Sequence, residues 1–102
     1  MFIYFTMIEL GGNITLDGFK ELEPSTLVIV KKIVGNYAKK ISTTIIQFEN
    51  LSVILKQNED VKEIESKLLV NNNPISVEAS DPNLFFALDK ALSLLTQKAK
   101  PG

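Results

Sequence analysis

The sequence of 102 residues contains no cysteine and no histidine. Without cysteine the chain has neither disulfides nor thiolate metal ligands. Without histidine it lacks the usual general base and the usual transition-metal ligand at neutral pH. Ser25, Ser80 and Ser93 therefore have no imidazole to activate them as nucleophiles. We predict that the protein is not an enzyme and has no catalytic residue, metal site, cofactor or small-molecule substrate.

Arginine is also absent, so all eleven basic residues are lysine, and twelve acidic residues bring the formal net charge to −1. Arginine is the residue that contacts guanine and phosphate through two parallel hydrogen bonds, and its absence disfavours base-specific recognition. Lysine ammonium groups still bind phosphates as point charges. Contact with a nucleic-acid backbone remains open.

No apolar run is long enough to cross a bilayer. Residues 1–10 are apolar but too short, and they lack the basic flank and cleavage pattern of a signal peptide. We expect a cytoplasmic protein with no membrane partner. A hydrophobic fraction of 45% over this length is typical of one globular domain, so residues 1–102 are predicted as a single domain. Residues 1–6 are either an upstream extension, with Met7 as the natural start, or an extra edge strand.

The first half of the sequence predicts a strand and then a basic amphipathic helix. Residues 8–16 alternate around two glycines, Gly11 and Gly12, where a kink or bulge is expected. Pro24 and Ser25 suit a helix entry, with Ser25 as the cap. Residues 26–41 have apolar positions at the helical period, which predicts a buried arc on one side of the helix. Its members are Leu27, Val30, Ile33, Val34, Tyr37, Ala38 and Ile41. The opposite side of this helix is filled by Gly35, Asn36 and four lysines, Lys31, Lys32, Lys39 and Lys40.

Three further strands and a second helix follow. The two-residue period appears over residues 44–56 and 63–70. Asparagines at positions 71–73 predict a tight hairpin into a fourth strand over residues 75–79. Ser80 or Asp81 can cap the last helix, and Pro82 fits its first position. This helix has an apolar stripe from Leu84 to Ala99, an outward-pointing aromatic side chain and three lysines. They are Phe86, Lys90, Lys98 and Lys100.

These elements predict an α+β fold of order β-α-β-β-β-α. Two helices with one apolar stripe each can bury these stripes against one face of a four-stranded mixed sheet, which gives a two-layer sandwich. The first two strands are joined through a helix and should be parallel.

The same order of elements resembles the ribosome hibernation family, which comprises the hibernation-promoting factors and ribosome-associated translation inhibitors. Residues 75–98, ISVEASDPNLFFALDKALSLLTQK, are similar to the final strand and "aldkal" helix of that family. Residues 31–41 and 51–56 resemble its first helix and second strand. The resemblance implies a stress factor that lies in the messenger and transfer RNA channel of the small ribosomal subunit and blocks translation.

In that family, basic residues of the two helices contact ribosomal RNA. Carried over by position, the resemblance implies that seven lysines bind RNA: Lys31, Lys32, Lys39, Lys40, Lys90, Lys98 and Lys100. The partners it implies are the small ribosomal subunit and its RNA.

The alternative is a protein-interaction module or homodimer with no nucleic-acid role. It would pair through apolar residues of a strand face and of the chain start, namely Ile54, Leu69, Phe2, Tyr4 and Met7. Lysines clustered on the helices would favour RNA, whereas a continuous apolar sheet face would favour a dimer. Four acids, Glu59, Asp60, Glu63 and Glu65, lie on a turn and one strand face and are interpreted as a solvated edge, not as a metal or acid-base site.

Overall fold

The structure is a computed structural model that describes residues 7–9, 13–44, 48–57 and 60–99. Its elements are β1 (Met7–Glu9), β2 (Ile14–Asp17), α1 (Pro24–Thr44), β3 (Asn50–Gln57), β4 (Lys62–Val70), β5 (Asn73–Asp81) and α2 (Leu84–Ala99). Strands β2 to β5 and the two helices form the predicted α+β sandwich in the predicted order. Residues 1–6, the glycines at 11 and 12, and Lys100 lie outside the described residues.

The sheet has the strand order β1-β2-β3-β4-β5. Strands β2 and β3 are parallel, as predicted for strands joined through a helix, and β3, β4 and β5 form the predicted antiparallel meander. The hairpin between β4 and β5 turns at Asn71 and Asn72, whose φ angles of 52° and 66° confirm the predicted left-handed turn.

The prediction of one continuous first strand over residues 8–16 was wrong. The structure has two short strands here, and β1 pairs antiparallel with β2, so that Met7 lies opposite Asp17 and Glu9 lies opposite Thr15. A glycine pair between two apolar runs is a signal for a hairpin as well as for a bulge. The hairpin prevails because it gives the backbone groups of both runs a partner. It also adds an edge strand beside the predicted four.

One face of the sheet and one side of each helix form the core. Along β3 and β4, Leu51 lies opposite Leu68 and Leu55 lies opposite Ile64, and these four side chains are buried. The two helices cover this face with a set of fully buried side chains: Val30, Val34, Ala87, Leu88, Ala91, Leu92 and Leu95. The buried hydroxyl of Ser66 donates to the Ala91 carbonyl at 3.2 Å, so α2 is also tied to β4 by a hydrogen bond.

Both predicted helix starts needed correction. Helix α1 begins at Pro24, so Ser25 lies inside its first turn, and the Glu23 carbonyl accepts the hydrogen bond of Leu27 N at 2.9 Å. Because this helix continues to Thr44, β3 is shorter than predicted and begins only at Asn50.

Helix α2 begins after Pro82, so proline does not occupy its first position. Asn83 is the cap, since its Oδ1 accepts the Phe86 amide at 3.0 Å. Asp81 lies two residues before this cap, and its Oδ1 accepts a hydrogen bond from the Asn83 backbone amide at 2.9 Å. Asn83 prevails over Ser80 and Asp81 because it lies directly before the first helical residue, within reach of the first-turn amides.

Candidate nucleic-acid interface

Helix α1 presents four exposed lysines on the side away from the core. Lys31, Lys32, Lys39 and Lys40 lie opposite its buried stripe of Val30, Val34 and Ile41. Across the described residues no carboxylate pairs with Lys31, Lys32 or Lys39. The Lys40 ammonium lies 4.9 Å from the centre of the Tyr37 ring. Three ammonium groups of one helix face are thus available to an external anion.

The described lysines of α2 have partners on β5. The Lys90 ammonium forms an ion pair with Asp81 at 2.9 Å and lies 3.5 Å from the Ser80 carbonyl. The Lys98 ammonium donates to the Ser76 carbonyl at 3.3 Å. Because β5 is the last strand of the described sheet, these lysines cover carbonyls of an edge strand and hinder pairing with another strand.

The two lysine groups therefore lie on different sides of the helical layer. Lys39 lines a groove beside Ile14 of β2, whereas Lys98 lines a groove beside Ser76 of β5. Strands β3 and β4 separate β2 from β5, which places them about 14 Å apart at a strand spacing of about 4.8 Å. The structure brings the α1 lysines together and holds Lys90 and Lys98 apart from them.

A tyrosine that the sequence placed in the buried arc of α1 joins the two helices. The Tyr37 hydroxyl donates to Asp89 of α2 at 2.6 Å. Burial, followed by the hydrogen bond and the negative charge of Asp89, raises the pKa of Tyr37 to about 12. The phenol is therefore protonated at neutral pH, and its bond to Asp89 fixes α1 against α2. Helical periodicity identifies Tyr37 as inward-facing but gives no sign of its polar partner.

Acidic and basic side chains pair on the open face of the sheet. Glu65 pairs with Lys56 at 3.7 Å and with Lys67 at 3.8 Å, and Lys56 also approaches Glu78 at 3.9 Å. In the part of the chain that is described, no cluster of acidic residues is arranged to hold a metal ion. Of the acids predicted as a solvated edge, Glu63 and Glu65 lie on the open face of β4, opposite the helices, and Asp60 lies exposed in the bend before β4. Glu59 lies outside the described residues.

The two described strand residues of the alternative dimer surface, Ile54 and Leu69, do not form a continuous patch. Ile54 is half-buried on the open face, where its cross-strand neighbours are Asp17 and Glu65. Leu69 lies further along this face, between Asn50 and Pro74. Phe2 and Tyr4 lie outside the described residues, and the side chain of Met7 is likewise not described. Three of the four cross-strand neighbours of Ile54 and Leu69 are therefore charged or polar.

The fold and this distribution of charge describe a small α+β domain with a basic helix face and a mixed-charge sheet face. No model of a protein family matches the chain, and no curated protein matches it. None of its helices, as far as they are described, is long and apolar enough to span a membrane.

Several solved structures share the fold, including the following two. A ribosomal subunit interface protein from Coxiella burnetii superposes with a TM-score of 0.64 and 15% identity, over 84% of this chain and 89% of that chain. The N-terminal domain of Protein Y from Thermus thermophilus also gives a TM-score of 0.64, with 18% identity over 91% of this chain and 97% of that chain. The resemblance stated from the sequence is confirmed at the level of the fold. The name of the Coxiella burnetii protein gives a location, the interface of the ribosomal subunits, and no reaction.

Proposed function

We propose that the protein is a cytoplasmic, non-enzymatic factor that binds the RNA of the small ribosomal subunit and inhibits translation under stress. The observation that carries the proposal is the set of three exposed lysines on α1, Lys31, Lys32 and Lys39, which no described carboxylate neutralises. When unpaired ammonium groups neutralise phosphates, the cations condensed on the nucleic acid are released, and this release favours binding. The ribosomal neighbour among the solved structures supports the choice of partner.

Within this proposal Lys40 adds a fourth contact on the same helix, and the lysines of α2 form a secondary group. Lys90 has to exchange Asp81 for a phosphate, and Lys98 has to leave the Ser76 carbonyl, so each gains less from RNA than an unpaired lysine. Lys100 belongs to this secondary group by its place in the sequence. We therefore assign the main affinity to α1.

Co-sedimentation with purified ribosomes at several salt concentrations tests the proposal. Each phosphate contact contributes about 0.7 to 0.9 to the slope of log affinity against log salt. The triple variant Lys31→Gln, Lys32→Gln, Lys39→Gln should bind more weakly, with a slope smaller by about 2 to 3. A thermal melt should show that the variant stays folded, because all three side chains are exposed.

The matched control replaces Lys20, Lys56 and Lys67 by glutamine, which removes the same charge away from the outer face of α1. Its ribosome affinity and salt slope should stay close to those of the unmodified protein. Equal losses in both triple variants would show that only bulk charge matters. Unchanged binding of the α1 variant would remove α1 from the interface, and a stable dimer without ribosome binding would favour the interaction module instead.

A further inference from the structure

A glycine lies between two of the unpaired lysines on α1. Lys31, Gly35 and Lys39 are four residues apart, so they form one row along the helix, with steps of about 6 Å. Glycine inside a helix costs about 0.5–1 kcal/mol relative to alanine. Within the described part of the chain, nothing lies within 4 Å of a Cβ atom built at Gly35. Packing among these residues therefore gives no reason for the missing side chain.

The gap at Gly35 opens into a groove between α1 and the end of the sheet beside β2. The groove is lined by Asn13, Ile14, Gly35, Ala38, Lys39, Ser42 and Phe48. Among the described residues of this lining there is no carboxylate, and Lys39 is the one that carries a formal charge. The Asn13 side-chain amide donates to the Phe48 carbonyl at 3.2 Å, which ties two parts of the wall together.

We infer that this groove receives a single strand of RNA, whose sugar–phosphate chain crosses α1 at Gly35 between the ammonium groups of Lys31 and Lys39. The inference rests on the proposed function and adds to it the place of closest approach. A helix surface without a side chain lets a backbone come nearer than any other residue would. Lys31 and Lys39 are about 12 Å apart along the helix. A phosphate over Gly35 therefore lies about 6 Å along the helix from each of these two lysine positions.

Filling the gap should therefore weaken ribosome binding while leaving the fold intact. Gly35→Gln adds a long neutral side chain where the structure has room, and it replaces a poor helix former by a good one. We expect at least a tenfold loss of ribosome affinity with an unchanged or higher melting temperature. The matched control is Asn36→Gln, which adds one methylene at the exposed neighbour that does not line the groove, and it should bind within twofold of the unmodified protein.

Normal ribosome binding by Gly35→Gln would overturn the inference. If the lysine triple variant loses binding in the same assay, only the position of the strand is wrong and the proposed function stands. If the triple variant also binds normally, the proposed function itself fails.

A second measurement decides the question even if the glutamine variant does not fold. Because the chain has no cysteine, Ser42→Cys provides one attachment point for an iron–EDTA probe on the exposed rim of the groove, and Gln97→Cys provides one beside β5. Stronger cleavage of ribosomal RNA from position 42 than from position 97 supports the inference. Equal cleavage, or stronger cleavage from position 97, overturns it.

A competition assay shows whether the groove binds RNA or an acidic protein segment. Polyuridylate should displace the ribosome from the unmodified protein but compete at least tenfold less well for Gly35→Gln, whereas polyglutamate at equal charge should have little effect on either. Competition by polyglutamate alone would assign the groove to an acidic polypeptide and overturn the RNA strand.

Discussion

Gly18 connects β2 to the segment that leads into α1, and its replacement by alanine should be strongly destabilising. Its φ angle is +86°, in the region that side chains other than glycine rarely adopt. A Cβ atom at this position would also overlap the backbone carbonyl of Leu55 in β3. The overlap involves backbone, so a change of rotamer does not relieve it. Either the turn or the central strand has to move.

The size of the effect follows from these two contributions. A strained backbone angle costs about 1–3 kcal/mol, and forced overpacking costs about 1–3 kcal/mol. Some of this cost is shared, because a shift of the turn relieves both, so we expect a loss of about 2–4 kcal/mol in the free energy of unfolding. A domain of this size is stable by only about 5–15 kcal/mol.

Urea unfolding followed by circular dichroism measures this loss. With a slope of about 1–3 kcal/mol per molar urea, the midpoint should fall by about 0.7–4 M. Gly35→Ala is the matched control, because Gly35 lies within a helix and has open space where a methyl group would project, so alanine should stabilise the protein by about 0.5–1 kcal/mol. A Gly18→Ala variant within about 0.5 kcal/mol of the unmodified protein would refute the steric reasoning, since that is the range of an ordinary surface substitution.

Three further predictions concern hydrogen bonds and titrating groups. The pKa of Tyr37 is raised from 10.0 to about 12, so its contribution to stability is complete below pH 10 and is lost as the pH rises towards 12. Urea unfolding at a series of pH values should therefore show that the Tyr37→Phe variant loses less stability between pH 10 and 12 than the unmodified protein. The pKa of Asp81 is lowered chiefly by the Asn83 amide and then by Lys90, so the contribution of Asp81 to stability is complete above pH 3.8 and is lost as the pH falls further. In the Lys90→Met variant, carbon-13 NMR titration should show a pKa of Asp81 nearer its ordinary value. An unchanged pKa of Asp81 would exclude Lys90 as a cause. Asn83→Ala should cost about 1 kcal/mol in urea unfolding because the Phe86 amide loses its cap, whereas no loss would show that water replaces it.

The fold could be predicted because its signals are periodic and local. Helical spacing identified the buried stripe of α1 through Val30, Val34 and Ile41, and asparagines fixed the β4–β5 turn. The β1–β2 hairpin was missed because a glycine pair fits either a bulge or a reversal, and long-range pairing decides between them. The α2 cap was missed because Ser80, Asp81 and Asn83 are all residues that can cap a helix. Which of them reaches the first-turn amides depends on where the helix starts, and the sequence gives that start only to within one or two residues.

The candidate site was less predictable for a different physical reason. Sequence periodicity gives the direction of a lysine from its helix axis, but it does not give the groups on the neighbouring strand. Lys90 and Lys98 point to β5, where Asp81 and the Ser76 carbonyl engage them. Gly35 was identified as part of the outer face, yet only the three-dimensional arrangement shows a groove next to it.

The near-neutral net charge is compatible with binding RNA because the outer face of α1 carries lysines that no described carboxylate neutralises, whereas the open face of the sheet carries charges of both signs. Lys31, Lys32 and Lys39 lie on α1, whereas Glu65 and Glu78 lie on the open face, where Lys56 approaches both. The molecule measures 21 Å along its shortest axis, which in a two-layer sandwich runs across the layers. This thickness is about two to three Debye lengths at physiological ionic strength, so salt screens the acids from a phosphate bound to α1.

At about 0.01 M salt the Debye length grows to about 30 Å, which exceeds the thickness of the molecule. The double variant Glu65→Gln, Glu78→Gln should therefore bind ribosomal RNA with unchanged affinity at 0.15 M salt and more tightly than the unmodified protein near 0.01 M. Fluorescence anisotropy with a labelled RNA fragment measures both conditions. Tighter binding of this variant at 0.15 M would mean that RNA lies close to the open face, and the assignment of the interface to α1 would then have to be abandoned.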